Sequence, residues 1–180
     1  KKEWGYNLDN PVLNIRKPKL PEPRNRRFTD EELNRLIYGN KTPSKLKAII
    51  EIALETGMRQ GEILRIKAEH IKDQTLFIPI AKTKPRTIPL TSKAQEVLKN
   101  VVLPFKMSGI YVSKKFKKLC NFYNIEDAKF HDLRRQALTN FMKDKNLTIA
   151  ETMFISGHTD PDMLLKTYNN LKIQDILDKF

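Results

Sequence analysis

The hydrophobic period of this chain changes partway along its length, and that change limits the folds open to it. Apolar residues first recur at helical spacing, most clearly at Leu46, Ile49, Ile50, Ala53 and Leu54, which fill positions i, i+3, i+4, i+7 and i+8. In TLFIPI (75–80) and RTIPL (86–90) the pattern becomes strand-like around a short Lys/Pro turn, the mark of a β-hairpin. The helical period then returns. The expected fold is therefore mainly α with a small β-hairpin or sheet. Thr29 followed three residues later by Glu32 is a capping-box signature for a helix to about Tyr38. The core helix covers 45–56 and ends at Gly57, and another is expected from about Arg59 to Lys67. Beyond the hairpin, helices are expected near 92–101, 109–123, 131–144, 148–156 and 161–169.

With 180 residues, 39% of them hydrophobic, the chain suits one domain with its own core. The first 27 residues differ: Pro11, Pro18, Pro21 and Pro23 alternate with Lys17, Lys19, Arg24, Arg26 and Arg27, which reads as an extended basic linker. Lys and Arg number 34 against 21 Asp and Glu, and a net charge of +13 repels itself unless a polyanion is the working partner. Nucleic acid is the first expectation. No apolar run approaches the roughly 18 residues of a spanning helix, so no membrane partner is expected. The single cysteine, Cys120, fits a reducing, cytoplasmic setting.

Two arginines stand where a core-facing apolar residue is expected. On a helix turning about 100° per residue, Arg134 projects between Leu138 and Phe141, and Arg59 between Ile63 and Ile66. A buried cation needs either an internal carboxylate or an external anion. Glu62 is a candidate partner for Arg59, but one carboxylate cannot neutralise two cations, which favours an anion site. A phosphodiester suits it, because each guanidinium can bind its oxygens through two parallel hydrogen bonds. His131 shares a helix face with Arg134, being three residues away. Chemistry on such an ester needs a nucleophile, stabilised phosphoryl oxygens and a proton for the leaving oxygen. The sequence carries no HExxH, cysteine pair or acidic run typical of metal sites, so no metal or other cofactor is expected.

The ordered set TGMRQGEIL with Arg59, a hairpin lysine ahead of IPL, HDLR, GH and then Tyr168 resembles the catalytic domain of tyrosine recombinases, the phage-integrase family that includes the Xer proteins. The likeness runs from about residue 28 to the end. It implies that Arg59 and Arg134 hold the scissile phosphate, assisted by His131 and His158. Lys82 would be the general acid for the leaving 5′ oxygen, and Tyr168 the nucleophile that forms a 3′-phosphotyrosyl link. Glu62 matches the acid that supports the first arginine. Lys84 and Arg86 compete with Lys82 for its role and are otherwise expected to contact DNA. Arg135 stands where many members carry histidine.

The resemblance further implies double-stranded DNA as substrate, strand exchange without ATP, and a homo-tetramer on DNA joined through a C-terminal helix at about 171–180; its stripe of Ile173, Ile176, Leu177 and Phe180 is equally consistent with packing on its own domain. Residues 1–27 would connect to a core-binding domain upstream. Two alternatives share these residues: a DNA-binding or regulatory module of the same fold without chemistry, and a metal-independent nuclease using His131 and His158.

Overall fold

The computed structural model describes residues 15, 16, 24, 26–81 and 84–168, the side chains of Met163, Lys166, Thr167 and Tyr168 excepted. Among the described residues, eight α-helices, one 3₁₀ turn (Ala68–His70) and three short strands occur; the helices and strands follow in the order α1 (Asp30–Tyr38), α2 (Ser44–Thr56), α3 (Gln60–Leu64), β1 (Ile71–Lys72), β2 (Thr75–Ile78), β3 (Arg86–Pro89), α4 (Ser92–Lys99), α5 (Gly109–Phe122), α6 (Phe130–Lys143), α7 (Ile149–Ser156) and α8 (Pro161–Tyr168).

Local chemistry sets the helix ends. Thr29 accepts the Glu32 N–H while the Glu32 carboxylate accepts the Thr29 N–H, which completes the predicted capping box of α1. Thr148 and Glu151 repeat the device at α7. Helix α2 forms the centre of the core, burying Leu46, Ile49, Ile50, Ile52 and Ala53 against α1, α4, α5 and α6. Phe116 of α5 stands edge-on to both Phe28 and Phe130, closing the core beneath the start of α6. A smaller cluster of Ala137, Leu138, Phe141 and Leu164 joins α6 to α8.

The antiparallel sheet has the order β1-β2-β3, with Leu76 opposite Ile88 and Ile78 opposite Arg86. Strand β1 is an addition to the expected hairpin; its two residues are too few to show a period. Helix α3 is also shorter than expected. Arg59 precedes it as the N-cap, with extended dihedrals of φ −71° and ψ 145°. Arg59 therefore approaches the site from a helix start rather than from a helical stripe, and its side chain stays 26% exposed rather than buried as expected.

Arg24 and Arg26, assigned to the linker by composition, pack on the domain through ion pairs to Asp127, Asp132 and Glu32. The expected C-terminal helix at 171–180 lies outside the described residues.

Candidate active site

Two helices end in the same way, and their ends build the site. Helices α2 and α7 are each stopped by a glycine in the left-handed region, Gly57 at φ 61° and Gly157 at φ 70°. The chain turns away sharply there, leaving the last carbonyls free for outside donors at the negative end of each helix dipole. Guanidinium groups take them. Arg134, buried on α6, donates Nη1 to the Gly57 carbonyl at 2.6 Å and Nη2 to the Ser156 carbonyl at 2.9 Å. Arg59 Nη1 reaches the same Ser156 oxygen at 3.4 Å and Glu62 Oε1 at 3.3 Å. Arg86 donates Nε to the Ile155 carbonyl at 2.9 Å.

Glu62 is the carboxylate of this cluster. Its oxygens accept Nη1 and Nη2 of Arg86 at 3.1 and 2.9 Å, and Oε2 also accepts the Arg59 backbone N–H at 3.0 Å. The Glu62–Arg86 pair is almost wholly buried, with side chains 4% and 7% exposed. Burial alone would raise the Glu62 pKa, but hydrogen bonds from Arg86 and Arg59, with the charges of both, hold it below the usual carboxylate range. Among the described residues, three guanidinium groups thus surround one carboxylate. The helix carbonyls that bind them are dipoles and cannot cancel a full charge, so the cluster retains positive charge that an anion would neutralise.

The histidines lie beside this charge. His158 Nε2 is 3.4 Å from Arg134 Nη2, and its Nδ1 is 2.7 Å from Ser156 Oγ. Since arginine can only donate, Nε2 carries the lone pair and the proton sits on Nδ1, directed at Ser156 Oγ. Burial and then the nearby Arg134 and Arg59 push His158 down to about 4. His131 opens to solvent at the cleft mouth; protein packed around it, then Arg134 and Arg135, also lower its pKa. Both imidazoles are therefore neutral at pH 7. Burial, then Arg59, pushes Arg134 down to about 9, which still leaves it cationic. A cleft of about 370 Å³ joins Arg134 and His131 to Met58, Gln60, Ser113, Lys117 and Lys129.

Of the residues expected from sequence, Arg59, Glu62, Arg134 and His158 are linked by direct contacts or through the Ser156 carbonyl, and His131 shares the cleft with Arg134. Arg86 departs from its expected place. Its guanidinium is turned inward onto Glu62 and Ile155 rather than outward to a DNA groove, because it shares a strand face with Ile88 and Leu90. Strand alternation was the signal that could have found it. Lys84 is exposed beside the hairpin turn. Lys82 lies outside the described residues. Tyr168 is the last residue of α8, and its side chain lies outside the description.

Comparison with known proteins gives concordant matches. The model of the "Phage integrase family" matches residues 26–104. The shufflon-specific DNA recombinase of Escherichia coli is 36% identical over 188 residues, covering 98% of this chain and 48% of that protein. The XerA recombinase crystal structure superposes with a TM-score of 0.69 at 18% identity, over 93% of this chain and 66% of that one. A lambda integrase tetramer bound to a Holliday junction gives a TM-score of 0.69 at 22% identity, over 87% of this chain and 53% of that one. At these identities the structural likeness is one of fold. The chain spans about half the length of the curated relatives it matches.

Proposed function

We propose that this chain, which belongs to the phage integrase family of tyrosine recombinases, carries the chemistry of a site-specific DNA recombinase. The observation that bears most weight is the meeting of Arg59 and Arg134 at the Ser156 carbonyl, in a cluster with more cations than carboxylates. A scissile phosphate supplies the missing negative charge. Arg59 and Arg134 bind its non-bridging oxygens and stabilise the charge that grows on them in the transition state.

The Tyr168 phenolic oxygen attacks phosphorus, a 3′-phosphotyrosyl bond forms, and the bond to the 5′ oxygen breaks. That oxygen takes its proton from Lys82. A phenol is almost wholly protonated at pH 7, so attack needs an acceptor, and the neutral imidazoles of His131 and His158 are suited to the role. When the second Nη2–H of Arg134 is directed at phosphate, with the bond to Ser156 kept, Nε2 of His158 loses a donor and becomes available. The covalent link retains the bond energy, and a 5′-hydroxyl from another strand reverses the step, completing exchange without ATP, metal or other cofactor.

Double-stranded DNA is the substrate, in keeping with the +13 charge. Assembly follows the DNA-bound tetramer of lambda integrase, which shares the fold. In this reading residues 1–27 lead from a core-binding domain, residues 171–180 join neighbouring subunits, and the protein acts in the cytoplasm.

A nicked suicide substrate tests the proposal, because loss of the short 5′ fragment prevents religation. The expected result is a denaturation-resistant protein–DNA adduct that Tyr168→Phe abolishes. Free DNA ends without an adduct would indicate a nuclease, and binding without either product a non-catalytic module.

A further inference from the structure

The helix that carries His131 and Arg134 is gripped from its other side by the chain leading into the domain. Asp132 lies between those two residues and is 1% exposed. Its Oδ2 accepts the Lys129 N–H at 2.8 Å, capping α6, and also accepts Arg24 Nη2 at 3.1 Å. Arg24 further binds Asp127, with Nη1 on Oδ1 at 2.8 Å and Nη2 on the backbone carbonyl at 2.5 Å. One turn along α6, Arg135 donates to the Arg24 backbone carbonyl, and Gln136 Oε1 accepts the Phe28 N–H at 3.2 Å.

Residues 132, 135 and 136 form one face of α6, and 131 and 134 form the adjacent face. The two faces have different duties, one holding the strap and the other the reacting groups. The start of α6 is also where a small rotation matters most. Arg134 must keep two carbonyls in reach while presenting its guanidinium to phosphate, and His131 sits one residue from the clasped Asp132.

We infer that Arg24 is a positioning residue for the reaction: by clasping Asp132 and Asp127 it holds the first turn of α6, with His131 and Arg134, in the pose that cleavage requires. Displacing Arg24 would leave Asp132, which caps α6, without the cation that fixes it. The inference rests on the recombinase reading for its effect on rate, while the clasp itself can be tested without DNA.

Three variants of the full chain separate positioning from DNA contact. For Arg24→Ala, adduct formation at saturating suicide substrate should fall roughly tenfold or more. Arg24→Lys should recover part of the rate, since one ammonium reaches Asp132 or Asp127 but not both. Asp127→Asn is the sharper case. Asp127 is 72% exposed, and its loss removes a negative charge, so DNA affinity should hold or improve while the saturated rate still falls. If Arg24→Ala weakens binding and leaves the saturated rate unchanged, Arg24 is a DNA contact and the inference is overturned.

Without DNA, nuclear magnetic resonance of the His131 ring supplies an independent readout. His131 faces Arg59, Arg134, Arg135 and Asp132, and shares its cleft with Lys117 and Lys129. In Arg24→Ala, Asp132 loses its cationic partner and acts more strongly on His131, so the titration midpoint should move up. An unmoved midpoint would show that the clasp does not reach the site. Should the parent protein form no adduct, the recombinase reading fails while the midpoint still decides the clasp.

Discussion

Arg59 and Arg134 donate to one oxygen, the Ser156 carbonyl, at 3.4 and 2.9 Å. A shared neutral acceptor aligns two guanidinium groups without consuming their charge, which suits the end of α7 to the proposed binding of a phosphate. Lysine cannot copy this, because a single ammonium does not span the Gly57 and Ser156 carbonyls with a planar fork. Arg134→Lys should slow adduct formation roughly a hundredfold, as loss of one transition-state donor does. Single-turnover trapping at saturating DNA measures this. DNA affinity should change little, since one cation of many retains its charge.

Glu62 balances Arg86 in the interior, and removing it leaves a buried cation without a counter-ion. Glu62→Gln should cost about 3 kcal/mol of stability, the lower end for breaking a buried pair. Urea denaturation of parent and variant at pH 7 gives the difference.

Gly157 combines a left-handed backbone with a close neighbour. A Cβ there would stand 3.1 Å from the Arg86 guanidinium carbon. Gly157→Ala should lose about 1–2 kcal/mol from the backbone alone and displace Arg86 or His158 in addition. Thermal unfolding reports the first effect, and a drop in the saturated cleavage rate reports the second.

Stability should fall in acid partly through His158. Its folded-state pKa is about 4 against an ordinary 6.5, so the unfolded chain binds the proton more readily. The contribution is complete above pH 6.5 and is lost as pH falls toward 4. His131 adds a slope of the same sign. His158→Gln should show a shallower decline of the urea midpoint across this window; identical slopes would contradict the assignment.

DNA binding should weaken steeply with salt, log K falling by about 0.9 for each phosphate neutralised. Titrations at several salt concentrations provide the slope, and a flat response would exclude a duplex partner.

The fold was legible wherever local chemistry decides. The Thr29–Glu32 box and Gly57 after α2 mark ends that the structure repeats within a residue or so. Arg134 was readable because its helix is long enough for periodicity to set its face. Arg59 was expected on a core-facing stripe, but α3 has five residues, Arg59 caps it, and its side chain is only partly buried. The inward turn of Arg86 depended on strand alternation in a four-residue strand and on the arrival of α7 from distant sequence. Likewise, the Arg24–Asp132 pair joins residues too far apart for any spacing rule. Such pairings emerge only from packing.

In the proposed reaction Arg134, with Arg59, neutralises the scissile phosphate. A suicide substrate with an uncharged methylphosphonate at the scissile position tests it directly, because the charge to be neutralised is then absent. Arg134→Ala should form almost no adduct on the phosphate substrate and regain a measurable adduct on the methylphosphonate. Equal activity of the variant on both substrates, or none on either while it remains folded and DNA-bound, would contradict a charge-neutralising role for Arg134.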